Sequence, residues 1–293
     1  MPPEAVKLKE IKPVLHGYIT EARSMLDPSV MPSDTVVHDV RVLMKKSRAS
    51  VRLLKSQIDE AAFDREYSAF REVGTIMRLW RETSVHRKVL KSLKKKCPDL
   101  FSQLASNEKI NALLNNNQTS TGLSPELKTD IETIIGILIK SGYRWRFRSL
   151  GTLDPHLLLH ELEFTYHLVS GCYLTSRNYP KQANIHELRK RTKDFLYQLY
   201  FFRALNPKVI KTLEKKLDSM AQNLGQYNDY AVLISTLGYK YSGPEDTGPL
   251  DELILVIRQE QDKCLSKVWP DAYRLFRPGE SLMNLLGFRV LTI

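Results

Sequence analysis

Apolar residues recur at three- and four-residue spacing along almost the whole chain, and strand-like alternation is hard to find. This spacing places apolar side chains on one face of an α-helix. In the first half it predicts helices over about 4–25, 33–60, 61–96 with a break, 101–114 and 124–149. In the second half it predicts helices over about 155–177, 182–204, 207–238 and 250–274. The pattern therefore predicts an all-α fold.

The breaks between the predicted helices are short, apart from polar stretches at 115–122 and 242–249 that predict loops. Long helices with short connections are typical of antiparallel bundles. Because the pattern repeats after Gly151, we predict two tandem, pseudo-symmetric four-helix bundles, with a first repeat over 1–150 and a second over 151–293.

The predicted second helix carries two adjacent stripes, one apolar and one basic. At about 100° of rotation per residue, the apolar stripe contains Val37, Val40, Met44, Ser47, Val51, Leu54 and Ile58. The basic stripe contains His38, Arg41, Lys45, Arg48, Arg52 and Lys55, with no acid among them. Like charges at this spacing repel one another and destabilise a helix. The stripe therefore favours a groove that holds a chain of negative groups, and a merely solvated face is the alternative.

The same pattern recurs 148 residues later in the chain. An apolar stripe contains Ile185, Leu188, Thr192, Phe195, Leu199 and Phe202. Beside it, the basic residues are His186, Arg189 and Lys193, whereas Leu196, Tyr200 and Arg203 occupy the remaining positions. We therefore expect the first half to contribute more affinity for an anion. Lys190, Arg78 and Arg81 complete the predicted groove.

Two short motifs give the chain a resemblance to a known family. A His-x-x-Arg motif with a basic residue four positions later, present in two copies, resembles the CHAD domain (conserved histidine α-helical domain). The segment Leu224 to Asp229 is similar to that family's Leu-Gly-x-x-Asn-Asp element, and Gly74 to Arg78 is an eroded counterpart that lacks the acidic residue. The resemblance implies one domain over about 10–275, with two four-helix bundles around a basic central groove. It also implies binding of inorganic polyphosphate and association with polyphosphate granules.

The charge of the chain agrees with an anionic partner. Its 293 residues include 44 Lys and Arg against 33 Asp and Glu, for a net charge of +11 and a pI near 9.4. The three cysteines form no CxxC pattern, so neither a disulfide framework nor a zinc ribbon is expected. No apolar stretch approaches the length that spans a bilayer, and the amino terminus lacks a signal-like apolar core. We expect a cytoplasmic protein without a membrane partner, located on polyphosphate granules.

No catalytic constellation stands out in the sequence. It has no GxxxxGK[ST] loop, no HExxH and no nucleophile elbow. His38 and His186 lack further metal ligands on their faces, so we expect neither a metal nor a cofactor, and non-enzymatic binding. The alternatives are an RNA-binding protein, a metal-dependent phosphohydrolase and a module that holds an acidic protein tail. The segment 143–148 interleaves arginine with aromatic residues, as single-strand binders do, but a packed helix end is expected there because a helix spreads these residues around its axis.

Overall fold

The protein is described here by a computed structural model that covers residues 8–115, 124–238 and 248–288, excluding the side chains of 8, 9, 79 and 81–84. In the first half, the helices are α1 (Leu8–Ser24), α2 (Asp34–Leu53), α3 (Glu60–Ile76), α4 (Leu79–Lys96), α5 (Pro98–Gln103), α6 (Glu108–Asn115) and α7 (Pro125–Phe147). In the second half they are α8 (Pro155–Asn178), α9 (Gln182–Leu199), α10 (Pro207–Leu237), α11 (Pro249–Phe276) and α12 (Leu282–Leu285). Within these ranges the regular structure is entirely helical, which confirms the all-α prediction.

Short polar side chains define where the helices begin. Ser33 caps α2 by accepting a hydrogen bond from the Val36 amide at 3.3 Å, and Ser124 caps α7 by accepting one from the Leu127 amide at 3.2 Å. Such caps satisfy an amide that has no partner within the helix. Proline occupies the first turn of α7, α8, α10 and α11, where its missing N–H costs no hydrogen bond.

The structure differs from the predicted helices at several boundaries. The second helix ends at Leu53 rather than near residue 60, and Lys55–Gln57 forms a 3₁₀ turn. The break predicted within 61–96 is confirmed, because α3 ends at Ile76 and α4 begins at Leu79. The predicted helix over 101–114 is also two helices, because Asn107 starts α6 by accepting a hydrogen bond from the Ile110 amide at 3.1 Å. The short α12 was not predicted. Residues 116–122 and 242–247 of the two predicted loops lie outside the described ranges.

The helices of each half pack mainly on one another, and the halves meet through α2 and α9. In the first half α1 packs on α2 and α7, while α3 packs on α2 and α7 as well. In the second half α9 packs on α8 and α10, and α11 packs on α10 and α8. The helices α4 and α5 bridge the halves, since α4 contacts α2 and α10 and α5 contacts α11.

Both predicted apolar stripes point into the hydrophobic core. All six members of the second stripe are buried, and so are all members of the first except Ile58, which is half-buried. One continuous hydrophobic cluster contains residues from both halves. The burial of each apolar stripe fixes the rotation of its helix, and thus the direction in which the neighbouring basic stripe points.

Polar contacts lock α2 against α9. The buried Gln198 amide donates to the Ala49 carbonyl at 3.2 Å, and Arg52 of α2 forms an ion pair with Asp194 of α9. These contacts hold α2 and α9 in a fixed register. None of the helices within the described ranges is apolar over enough of its length to span a bilayer.

Candidate anion-binding site

A cavity of about 720 Å³ lies where α2, α3, α9 and α10 meet beside the start of α4. We call it the central cavity, and its lining residues are Arg41, Met44, Lys45, Arg48, Arg71, Gly74, Thr75, Arg78, Val85, His86, Gln182, Ala183, His186, Arg189, Lys190, Asn228, Asp229 and Val232. Seven of them are Lys or Arg and two are His, whereas Asp229 contributes the lining carboxylate. Both halves of the chain therefore supply positive charge to one space.

Helix α2 presents Arg41, Lys45 and Arg48 to the cavity from one face, at steps of four and three residues. The guanidinium of Arg41 donates a hydrogen bond to the Gly74 carbonyl in the last turn of α3. Carbonyls at the carboxyl end of a helix lack partners within the helix and carry partial negative charge, so a cation there is stabilising. This contact holds Arg41 across the wall of the cavity.

Among the cations of the first half, Arg48 gives the clearest indication of a bound anion. Its Nε–H is buried and has no hydrogen-bond partner among the described residues. A buried donor without a partner costs free energy, of order 1–3 kcal/mol. Because Arg48 lines the central cavity, a bound anion placed there could supply the missing acceptor.

Helix α9 presents Arg189 to the cavity through close contact with α10. A Cβ atom built on Gly225 would lie 3.0 Å from Nε and 3.3 Å from Nη2 of Arg189. A Cβ contact this short would make the guanidinium shift by a few tenths of an ångström, so the missing side chain of Gly225 lets Arg189 lie close to the backbone of α10. The Gly residue in the Leu224 to Asp229 segment thus makes space for a cavity cation.

The other two polar residues of that segment also face the cavity. Nδ1 of His186 lies 3.1 Å from Oδ1 of Asn228, and since the amide oxygen can only accept, Nδ1 is the donor. Partial burial lowers the pKa of His186, with the charges of Arg189 and Lys190 adding to this effect and the Asn228 hydrogen bond opposing it. The neutral ring therefore has its lone pair on Nε2 and gains a proton there when negative charge approaches.

The central cavity brings together seven of the residues predicted from the sequence. These are Arg41, Lys45, Arg48, Arg78, His186, Arg189 and Lys190. Four other predicted residues are described by the structure but are not part of its lining: His38, Arg52, Lys55 and Lys193. The side chain of Arg81 lies outside the described residues.

Local contacts explain why two of the four predicted cations lie elsewhere. Arg52 forms an ion pair with Asp194 and donates to the Tyr67 hydroxyl. Lys193 forms an ion pair with Asp218 at 3.0 Å. In each case the cation forms an ion pair with an acid from another part of the chain. The helical pattern of the stripe alone did not reveal that acid.

The remaining two are exposed. His38 is exposed in the amino-terminal part of α2. Lys55 follows the end of α2, and its ammonium group lies 5.7 Å from the centre of the Phe63 ring. The part of the predicted basic stripe that lines the central cavity therefore comprises Arg41, Lys45 and Arg48.

The sequence interpretation missed two basic residues of the cavity. Arg71 lies one turn before Gly74 on α3, and with Thr75 and Arg78 it follows steps of four and three residues, a signal that a helical wheel of α3 would have revealed. His86 is buried on α4 and lines the cavity. No sequence pattern pointed to His86, because its position depends on how α4 packs on α2.

The described ranges contain no obvious set of metal ligands. Within them, no group of three or more His, Cys, Asp and Glu side chains is placed to hold a metal ion. The cavity combines many cations with one carboxylate, an arrangement suited to binding a multiply charged anion.

Comparisons with known proteins place the chain in a family. The family model of the CHAD domain matches residues 21–238. The crystal structure of the CHAD domain from the plant Ricinus communis is similar to this chain at 17% identity, over 98% of this chain and 92% of that chain, with a TM-score of 0.49. No curated protein matches the chain. Because the family model spans well over half of the sequence, this chain belongs to the CHAD domain family.

Proposed function

We propose that the protein binds inorganic polyphosphate in the central cavity, without chemical conversion of the bound chain. One observation carries this proposal: seven Lys and Arg residues from both halves converge on a single cavity, whose described lining residues include one carboxylate, that of Asp229. Confining so many like charges in one space is unfavourable unless an anion neutralises them. A polyanion that carries a charge on each repeating unit meets this need better than a single phosphate does.

The types of cation fit phosphoryl oxygens. Arginine can hold two oxygens with its planar fork, whereas lysine acts as a mobile point charge. Arg41, Arg48 and Arg189 are each half-buried and thus partly desolvated, which strengthens their attraction for an anion. The exposed Arg71 and Arg78 extend the positive surface outward, where a longer chain would leave the cavity. Lys190 is exposed as well, and its charge is shared with Glu187 at 2.6 Å.

The structure changes the expected path of the polyphosphate chain. The sequence favoured a chain laid along both basic stripes to their ends, but Arg52 and Lys193 are engaged by Asp194 and Asp218. We place the chain against the middle of α2, from Arg41 to Arg48, and against the amino-terminal half of α9 instead. In this arrangement Arg71 of α3 and Arg78, which follows α3, contact the bound chain as well.

Binding alone is the function that these residues support best. Hydrolysis of a phosphoanhydride needs a metal or a general base that activates water, and the lining residues that the structure describes offer one carboxylate among many cations. Association with polyphosphate granules in the cytoplasm would follow from binding of long chains. This is part of the proposal.

Calorimetric titration with long-chain polyphosphate at two salt concentrations tests the proposal. We expect saturable binding that weakens at higher salt, because exposed charge pairs are screened. RNA added at equal phosphate concentration should not displace polyphosphate from the protein. Displacement by RNA would favour a nucleic-acid ligand for this cavity, and release of phosphate in the presence of Mg²⁺ or Mn²⁺ would favour the phosphohydrolase alternative.

A further inference from the structure

The end of α7 exposes two aromatic rings that are stacked on each other. Tyr143 is 60% exposed and Phe147 is 74% exposed. Their ring planes differ by 4°, with centroids 6.5 Å apart. The guanidinium of Arg146 lies 5.6 Å from the centre of the Phe147 ring. The expectation of a packed helix end is therefore right for Trp145, which is completely buried, and wrong for these two rings.

A second cavity, of about 300 Å³, adjoins the stacked rings between α1 and α7. Tyr143 and Arg146 line it from α7, and His16 and Arg23 line it from α1. No carboxylate is among its lining residues. Within the described ranges, neither Arg23 nor Arg146 forms an ion pair, so both charges are available to a ligand.

We propose that this face, formed by Tyr143, Phe147, Arg146, Arg23 and His16, binds single-stranded nucleic acid. A nucleotide combines a flat aromatic base with a negatively charged phosphate. The exposed rings offer a stacking surface for the base, and Arg23 and Arg146 offer positive charge in the adjoining cavity for the phosphate. Stacking on aromatic side chains beside cations is how proteins hold single strands without reading their sequence.

The composition of the surrounding surface favours this ligand over a membrane. The outer face of α7 that leads to the rings exposes Glu132, Thr133 and Lys140 rather than further apolar residues. A helix that lies in a membrane surface needs a continuous apolar face. Two isolated rings beside a cationic cavity suit the bases and phosphates of a nucleic acid better than they suit a lipid layer.

The proposed face is separate from the central cavity. No residue of α1 or α7 lines the central cavity, so the two sites can be altered independently. This inference does not depend on polyphosphate binding, and its failure would leave that proposal unchanged.

Fluorescence anisotropy with a labelled oligouridine of about 12 nucleotides, within the usual site size of single-strand binders, tests the inference. We expect Tyr143→Ala/Phe147→Ala to weaken binding about tenfold or more, as loss of base stacking does. The matched control is Tyr273→Ala, since Tyr273 is 55% exposed and carries Arg277 at 6.0 Å from its ring centre, but stacks on no second ring among the described residues. The control should bind like the wild type.

Four further measurements distinguish base stacking from binding through charge, apolar bulk or a lipid surface. Phe147→Leu keeps apolar bulk without an aromatic face and should bind as weakly as Phe147→Ala. An abasic oligomer of the same length should bind the wild type weakly, whereas Arg48→Gln/Arg71→Gln, altered only in the central cavity, should bind oligouridine normally. Equal binding of abasic and normal oligomers, unchanged binding by the double alanine variant, or its selective loss of binding to phosphatidylserine vesicles would overturn the proposal.

Discussion

Arg189 of α9 lies directly against the backbone of α10 at Gly225, where an added Cβ atom would come within 3.0 Å of its Nε. In the first half Arg41 of α2 donates to the carbonyl of Gly74 on α3. In both halves an arginine of the basic stripe is thus held by a glycine of the following helix. The two contacts differ. Arg189 lies close to α10 because Gly225 has no side chain, whereas Arg41 forms a hydrogen bond with the backbone carbonyl of Gly74.

This difference predicts opposite outcomes for two matched glycine substitutions. Gly225→Ala should push Arg189 out of position by a few tenths of an ångström and weaken polyphosphate binding about threefold, or roughly 0.6 kcal/mol. At Gly74 an added Cβ atom meets nothing within 4 Å. Gly74→Ala should therefore leave binding unchanged and stabilise α3 by up to about 1 kcal/mol. Titration calorimetry and thermal unfolding measure both effects, and equal effects on binding would contradict the role of Gly225.

The two halves should contribute unequally to polyphosphate affinity. Five of the seven lining cations come from the first half, and Arg189 and Lys190 come from the second. We expect Arg41→Ala to cost about 2 kcal/mol of binding free energy and Arg189→Ala about 1 kcal/mol, as single charged hydrogen bonds do. The titrations should be made well below the unfolding temperature of each variant, since Arg41 also stabilises the end of α3. Equal losses would show that the predicted asymmetry is wrong.

Polyphosphate binding should strengthen as pH falls. Partial burial lowers the pKa of His186 in the free protein, and a bound polyanion raises it again. The complex therefore takes up a proton, and affinity rises as pH decreases from the pKa of the bound state towards that of the free state. Each unit of this pKa difference is worth up to about tenfold in affinity.

Comparison with His186→Gln isolates this effect from titration of the polyphosphate itself. The variant should show a shallower dependence of affinity on pH between about 5.5 and 7.5, around the ordinary histidine pKa. The same pH dependence in the variant and the wild type would exclude His186 as the coupled group.

Arg52 should matter for stability and not for polyphosphate binding. It pairs with Asp194, whose side chain is 14% exposed, and it does not line the central cavity. Arg52→Ala leaves that carboxylate with the longer ion pair to Arg191 at 4.0 Å and should cost about 2 kcal/mol of unfolding free energy, as loss of a hydrogen bond between charged groups does. Lys55→Ala, which removes an exposed cation of the same predicted stripe, should change stability by less than about 0.5 kcal/mol. Denaturant unfolding compares the two variants, and a large loss of affinity with unchanged stability in Arg52→Ala would reverse this assignment.

Helical periodicity was sufficient to predict the fold class and the burial of both apolar stripes. Residues such as Val40 and Phe195 are buried because each helix turns its apolar side inward. The same rotation directs Arg41, Lys45 and Arg48 to the cavity. These predictions succeed because they depend on contacts along a single helix.

Features that depend on contacts between distant segments could not be read from that periodicity. Asp194 approaches Arg52 from 142 residues away, and His86 reaches the cavity because α4 packs across α2 and α10. The exposure of Tyr143 and Phe147 likewise depends on what packs against α7. A helical wheel gives the face of a residue but not the partner that the face meets.

The central claim is that the converging cations of the cavity, rather than the net charge of the protein, bind polyphosphate. Calorimetric titration of two charge-matched variants tests it most directly. Arg48→Gln/Arg71→Gln removes two lining cations, whereas Lys94→Gln/Lys95→Gln removes two exposed cations from the end of α4, outside the cavity. We predict that the first variant loses affinity by about a hundredfold, or roughly 2.7 kcal/mol, and that the second stays within about threefold of the wild type. Equal losses in the two folded variants would contradict the account, because binding would then follow net charge alone.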